Sequence, residues 1–355
     1  MKTLFVTSTS DYCGKTVVAL GLGKKLQSDG FKVGYMKAVG THPTKDGDRI
    51  VDSDALLIHT VLDLEDPIEN VSPVVVTQDL IMQAYEGEDL NLGQKIIQAY
   101  EEISKDKDIV LISGPGKFSS GTSLGVSARK IINDFNANAL IIDKSDEDVS
   151  IDEILMIKEI LQDKVVGAVL NQVEFPKLDF IERRVKPFLT GKGVDVLGVF
   201  LKDPILMSVT IRELADTLGG EIICCEHRAD DLVERFSVGA MNVEGALKYF
   251  RKVRSKAVIT GGDRADIQLA ALETDTRCLI LTGNLYPNDI IIARAEERDV
   301  PIILVRRDTL TIVQQVEDIM MSLRVRDKRK INRAIQLVSE DLDFSTLYER
   351  LELNK

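Results

Sequence analysis

The stretch Leu4-Phe5-Val6-Thr7-Ser8-Thr9-Ser10-Asp11-Tyr12-Cys13-Gly14-Lys15-Thr16-Val17-Val18 decides how the chain is read. An apolar run gives way to a small polar loop, which ends in Gly-Lys-Thr and enters a helical pattern. Strand, loop and helix in that order are what a phosphate-binding loop needs. Main-chain N–H groups from Thr9 to Val17 would gather at one point, and the positive end of the helix adds to their pull on an anion. Gly14 lets a phosphate approach without meeting a Cβ. Lys15 is placed to reach β- and γ-phosphates, and the Thr16 hydroxyl to hold Mg²⁺. Thr9 stands where the usual pattern has its first glycine. The competing reading is a capped helix start with a solvated lysine, which the flanking strand and helix patterns disfavour.

Working outward, the spacing of Val18, Leu22 and Leu26 predicts a helix over 15–29, stopped by Gly30. A strand follows over 31–36. A strand–helix–strand unit of this length calls for a parallel sheet with right-handed crossovers. Ligands of such sheets bind at the carboxyl ends of strands, so Lys37, directly after the second strand, is a candidate partner of Lys15. Its bland alternative is a surface lysine. Residues 40–54 read as a long polar loop carrying Asp46, Asp48, Asp52 and Asp54. Asp54 is equally a Mg²⁺ ligand or a helix N-cap.

Further strands are expected at 108–112, 140–143, 165–171 and 195–201, and helices over 92–103 and from Ser150 to about Leu161. For the second, Ser150 and Glu153 form a capping box. Ser113-Gly114-Pro115-Gly116 makes a second glycine turn at a strand end, and Asn171 closes another strand. This alternation predicts a doubly wound, mostly parallel α/β domain over 1–204.

Asp203-Pro204 marks a boundary. A smaller α/β domain is expected over 205–325, with strands at 221–225, 257–260, 278–282 and 301–305. Its helices are read at 210–218, 230–236, 267–272 and 288–297. Gly261-Gly262-Asp263-Arg264 and Thr282-Gly283 follow two of these strands. They form a candidate second anion or nucleotide site with Arg264 as its cation; the alternative is tight turns with a structural Asp263–Arg264 ion pair. A helical tail, 326–355, carries an apolar stripe of Ile331, Ile335, Val338 and Leu342, suited to packing on the body or on a partner subunit.

With 57 acidic and 45 basic residues among 355, the formal charge is −12. That opposes nonspecific binding to nucleic acid or anionic lipid, so neither is expected as a partner, and any phosphate site has to be made locally. Cys13, Cys224, Cys225 and Cys278 show no disulfide rhythm and no metal spacing, and neither do His42, His59 and His227. With no secretory leader and no long apolar run, a cytoplasmic protein is expected.

The first domain resembles the dethiobiotin synthetase group of P-loop proteins. The matching residues are Thr9-x-x-x-x-Gly14-Lys15-Thr16, Gly34-Tyr35-Met36-Lys37, Ser53-Asp54-Ala55-Leu56, Asn171, and Leu197-Gly198-Val199-Phe200 before Asp203-Pro204. The second resembles the DRTGG domain through 259–267 and Leu281-Thr282-Gly283. Together they are similar to the N-terminal portion of long bacterial phosphate acetyltransferases. The sequence runs to Lys355 without the catalytic part that follows there, so acetyl transfer is not expected of it. The resemblance implies Lys15 on phosphates, Thr16 and Asp54 on Mg²⁺, Lys37 on the transferring phosphate and Asn171 on the base. Where the synthetase group has an acidic metal ligand, this chain has Ser113, a weaker ligand for a hard cation.

Two functions follow. The first is an ATP-binding regulatory or sensor protein, homo-oligomeric, whose second domain meets a regulatory ligand or joins subunits. The alternative is an ATP- and Mg²⁺-dependent enzyme that activates a small carboxylate as an acyl phosphate, with Lys15 and Lys37 stabilising charge on the γ-phosphate. Ser113 favours the first.

Overall fold

A computed structural model describes residues 1–145, 151–323 and 325–353. The described chain forms two compact units, Met1–Lys202 with Val325–Lys355, and Asp203–Arg324.

In unit 1 the opening run is β1 (Lys2–Ser8), and the phosphate loop leads into α1 (Lys15–Ser28). Then come β2 (Val33–Lys37), a hairpin of β3 (Pro43–Asp46) and β4 (Arg49–Asp52), α2 (Ser53–Leu62), α3 (Ile68–Val71), α4 (Gln78–Tyr85) and α5 (Leu92–Ile103). After β5 (Ile109–Ser113), α6 (Ala128–Asp134) leads to β6 (Asn138–Lys144), and α7 (Ile151–Leu161) to β7 (Val165–Val173). Two short helices, α8 (Leu178–Phe180) and α9 (Lys186–Gly191), precede β8 (Val196–Leu201). The main sheet has the order β2-β5-β1-β6-β7-β8 and is parallel throughout. Strands buried on both faces read as the unbroken apolar runs seen here. The chain lays strands to one side of β1 first and to the other side afterwards. That reversal puts the crevice for a ligand at the carboxyl end of β1, where the Gly14–Thr16 loop lies.

The expected loop over 40–54 is instead the β3–β4 hairpin running straight into α2. Asp52, and not Asp54, is the N-cap: its carboxylate accepts from Asp54 N at 2.9 Å and Ala55 N at 3.1 Å, and from His42 N at 2.9 Å. A cap that also ties down the preceding segment satisfies more donors than one made by Asp54 would. Ser150, the first half of the expected capping box, lies outside the described residues.

In unit 2, β9 (Val209–Thr210), α10 (Ile211–Leu218), β10 (Glu221–Cys224), β11 (Leu232–Val233) and β12 (Arg235–Val238) lead to α11 (Val243–Phe250). β13 (Lys256–Gly261), α12 (Ala265–Leu272), β14 (Thr276–Thr282), α13 (Asp289–Arg298), β15 (Ile302–Leu304) and α14 (Thr309–Met321) complete it. The sheet order is β10-β15-β14-β13-β12, with β10 the antiparallel edge. One face is covered by α10 and α14, the other by α11, α12 and α13. The helix expected over 230–236 is two strands. Leu232 and Val233 pair with β9, and 235–238 pair with β13. Tertiary pairing of apolar and β-branched residues outweighs a weak local helix pattern.

The tail returns to unit 1 as α15 (Lys328–Asp341) and α16 (Phe344–Leu351). It docks on the phosphate-loop helix: a Cβ on Gly21 would lie 2.3 Å from Val338 Cβ. Asp343 N donates to Leu197 O at 2.7 Å, and the Tyr348 hydroxyl to Asp29 at 2.6 Å. The buried stripe of α15 is Lys330, Ala334, Leu337 and Val338. Ile331 and Ile335 are only half-buried, because the contact with Gly21 centres the helix on Val338.

Candidate functional site

Gly14 has φ +92°, a left-handed conformation that favours glycine, and a Cβ there would meet Asn171 Nδ2 at 2.2 Å. The reason is that Asn171, at the end of β7, donates its amide to Cys13 O at 2.8 Å. Asn171 thus braces the loop from a strand two places from β1 in the sheet, a contact that the sequence does not reveal. No side chain caps α1 and no acidic residue lies in its first turn, so the N–H groups of that turn remain available to an anion.

Lys15 is 8% exposed, and its Nζ donates to Ser8 Oγ at 2.8 Å. Burial, and next the neighbouring Lys37 ammonium, pull its pKa down to about 8. Lys37 is also buried, with its Nζ 3.6 Å from Asp54 Oδ2. The same carboxylate oxygen accepts the Thr16 hydroxyl at 3.1 Å and lies 3.8 Å from His42 Nδ1. Burial pushes the Asp54 carboxyl up, but the His42 ring, the Lys37 ammonium and the Thr16 hydroxyl outweigh it and hold the group well below the usual carboxylate range. So α1, β2 and α2 bring Lys15, Thr16, Lys37 and Asp54 to one place, as the sequence pattern anticipates. The Thr16 hydroxyl and Asp54 carboxylate are hard oxygen donors. They fit Mg²⁺, which takes few protein ligands and completes its shell with water and phosphate. Among the described residues no group of three or more His, Cys, Asp or Glu side chains could hold a metal by itself.

The rest of the loop divides its work. The Thr9 hydroxyl donates to Asp143 Oδ1 at 2.7 Å, fastening the position of the missing glycine to the end of β6. Ser8 Oγ lies 2.8 Å from Ser10 O and 3.1 Å from Gly116 O, which joins the two glycine turns. Ser10 Oγ is 3.1 Å from Cys13 Sγ, and Cys13 is fully buried. Asp11 and Tyr12 are exposed; Tyr12 has φ +54° and its ring lies 6.4 Å from that of His42. The Val17 side chain belongs to the core, leaving only its N–H to the site. Ser113 sits in register between Val6 and Lys37, so the carboxyl end of β5 bears a buried hydroxyl and no carboxylate. Sequence reasoning missed Ser8 and Asp143. A polar aspartate closing the apolar run of β6 is the feature of the chain that marks the second.

In unit 2 the expected set also gathers at one sheet edge, where several of its donors are already bonded within the chain, although no side chain caps α12. Gly262 N donates to Thr282 O at 3.1 Å, Gly283 N to Arg307 O at 2.9 Å, and the Thr282 hydroxyl lies 2.7 Å from Thr309 Oγ1. Gln268, fully buried, donates to Gly261 O and Gly262 O. Arg264 pairs with Asp266 and donates to Met241 O. Asp263 is exposed, so the Asp263–Arg264 pair expected as the alternative is replaced by Arg264–Asp266. Two residues along the helix start, a carboxylate can meet the guanidinium fork with both oxygens.

Residues 2–210 match the AAA domain family and residues 213–319 the DRTGG domain. The chain belongs to this AAA domain family. Its P-loop domain is followed by a DRTGG domain. The phosphate acetyltransferase of Nitratidesulfovibrio vulgaris is 23% identical over 98% of this chain and 51% of its own length. That of Pseudomonas putida is 23% identical over 99% and 52%. The chain therefore spans about half the length of these curated relatives. The ATP-dependent dethiobiotin synthetase of Thermodesulfovibrio yellowstonii is 25% identical over 60% of this chain and 92% of that protein. Among solved structures, the cell division protein MinD of Aquifex aeolicus is 15% identical and covers 58% of this chain and 84% of its own, at a TM-score of 0.35. The CBS and DRTGG domains of the regulatory region of Clostridium perfringens pyrophosphatase, complexed with the activator diadenosine tetraphosphate, are 22% identical. They cover 46% of this chain and 78% of their own, at a TM-score of 0.30. No helix among the described residues is long and apolar enough to cross a membrane.

Proposed function

We propose that this chain is an ATP-binding regulatory protein, related to the non-catalytic N-terminal half of phosphate acetyltransferases. ATP sits on the Gly14–Thr16 loop, with Mg²⁺ held by Thr16 and Asp54. The observation that carries the reading is the pair of buried lysines, Lys15 and Lys37, converging on a helix start whose amides have no cap. Two buried ammonium groups side by side are costly without an anion. A triphosphate supplies the missing charge, and the Thr9–Asp143 and Asn171–Cys13 contacts hold the loop ready for it.

Ser113 separates binding from turnover. Phosphoryl transfer depends on metal ions that neutralise charge on the γ-phosphate, and a carboxylate at the end of β5 would help to place one. Its replacement by a hydroxyl supports binding with little hydrolysis. Activation of a small carboxylate remains the second reading, favoured by Lys37 and His42 flanking Asp54. The test is calorimetry with Mg·ATP, followed by ADP release with and without small dicarboxylates and amino acids. Stoichiometric binding that disappears in Lys15→Ala, without turnover, is the expected result. Turnover that requires one particular acid would replace the regulatory reading by the enzymatic one.

A further inference from the structure

Residues 50–94 contain ten acidic residues and no lysine or arginine. The whole chain carries −12, so this run supplies −10 of that charge and all other residues together only −2. Within the run lies α4, capped by Thr77, whose hydroxyl accepts from Leu80 N at 3.2 Å. Among the described residues it is the one helix of eight or more residues that buries no side chain. Leu80, Ile81 and Ala84 are half-buried, while Met82 is 56% and Tyr85 76% exposed. A helix of two turns is marginal in water, and helices owe most of their stability to the packing of an apolar face. This one leaves an apolar pair, Met82 and Tyr85, unpacked.

The charges around that pair indicate what covers it. Asp79 and Glu86 lie one turn before and one turn after Met82, on the same side of the helix, and Glu88 and Asp89 follow in the turn. All four are exposed, and none of them forms an ion pair among the described residues. Nucleic acid and anionic lipid carry the same sign and are repelled. A second copy meeting this face across a two-fold axis sets the acidic run against itself. A protein segment with lysine or arginine around an apolar anchor is complementary: its cations meet the carboxylates while its anchor covers Met82 and Tyr85.

We infer that α4 and the turn after it form a docking face for a basic amphipathic helix of another protein. Met82 and Tyr85 are its apolar seat, and Asp79, Glu86, Glu88 and Asp89 its charged rim. The inference goes beyond nucleotide binding and is independent of it. Fluorescence anisotropy with the full chain and a labelled Leu/Lys peptide of about 14 residues, amphipathic as a helix, tests it. The wild type is expected to bind the peptide in the micromolar range, and to lose about 10-fold or more in affinity between about 50 and about 500 mM salt, as the rim charges are screened. Met82→Ser with Tyr85→Ser should cost about 10-fold or more, and Glu86→Lys with Glu88→Lys and Asp89→Lys about as much. Both sets change exposed side chains, and circular dichroism verifies that the variants are folded. The same charge reversal at Glu159, Glu317 and Asp318, exposed acids outside the run, should leave binding within about twofold, since distant surface charges are screened. A peptide with serine in place of leucine should not bind. No binding below about 1 mM peptide, or an equal loss when the distant acids are reversed, overturns the inference. So does a wild-type dimer that Met82→Ser with Tyr85→Ser separates, because a second copy then occupies the face.

Discussion

The two units end parallel strands in glycine turns, yet they use the resulting edges in opposite ways. At the edge of unit 1 the helix-start amides have no side-chain cap, and two lysines are buried beside them, Lys37 with its ammonium 3.6 Å from the Asp54 carboxylate. At the edge of unit 2 the amides of Gly262, Gly283 and Asn284 are bonded to Thr282 O, Arg307 O and Val305 O, and Arg264 is held by Asp266, which puts a carboxylate in the first turn of an α12 that likewise has no side-chain cap. The same topology therefore makes a cradle only where donors are left unspent. Glycine after a strand says that the chain turns closely; what the amides of that turn bond to says whether a ligand has a place.

The largest expected effect lies in unit 1. Gly14→Ala puts a methyl group against Asn171 at a left-handed φ, and Lys15→Ala removes the ammonium. Each should weaken Mg·ATP binding by about 100-fold or more, as measured by calorimetry, since hydrogen bonds to charged groups contribute about 1.5–3 kcal/mol and several are lost together. Unaltered affinity in both would erase the contrast between the two edges.

The next test is protonation. Lys15 has a folded pKa lowered to about 8 against 10.5, so the free ammonium opposes folding, and this cost fades as pH rises through about 8 towards 10.5. An anion on Lys15 favours its charged form. Nucleotide binding at pH 8–9 should therefore take up protons, read as a dependence of the apparent enthalpy on the ionisation enthalpy of the buffer. Buffer-independent enthalpies across that window would separate Lys15 from the phosphate.

Asp54 offers a smaller effect at the acidic end. Its folded pKa is depressed, so its stabilising contribution is present above the ordinary carboxylate range and is lost as pH falls through the folded value. Asp54→Asn should flatten the acid limb of the thermal-stability profile and weaken the Mg²⁺ dependence of nucleotide binding. Ser113→Glu should strengthen that dependence.

In unit 2 the same logic predicts structural effects alone. Gly262→Ala drives a methyl group into Leu285 O and should destabilise the unit by about 1–3 kcal/mol, the range for overpacking, with ATP affinity unchanged. Arg264→Ala should have the smallest effect, leaving the unfolding midpoint unmoved, because its ion pair with Asp266 is solvent-exposed. A large effect of either on ATP binding would show that the edges are not independent.

Much of this was legible in the chain itself. The strand–loop–helix at 2–28, the α5 bounds and the parallel sheet follow from apolar period and punctuation, because strands covered on both faces and helices covered on one leave distinct patterns. The hairpin at 43–52 was not legible. Its strands are polar and mostly exposed, so no alternation marks them. Nor was the role of Asp52, which caps α2 and holds His42 N at once, since a cap cannot be told from its neighbours by composition. The strands over 232–238 were misread for a related reason: they are short, and their partners, Val209–Thr210 and β13, lie about twenty residues away in sequence.

What the amino-acid sequence determined by itself was local: where glycine must stand, which lysine follows which strand, and which residues start a helix. What only the tertiary structure decided was which donors remain unspent. Asn171 comes to lie on Gly14, and Asp143 on Thr9, across more than a hundred residues of chain. The turn amides of unit 2 meet carbonyl oxygens on adjacent strand ends. Hydrogen-bond satisfaction is a property of groups brought together by packing. Two glycine turns that read alike along the chain therefore differ in what they can bind.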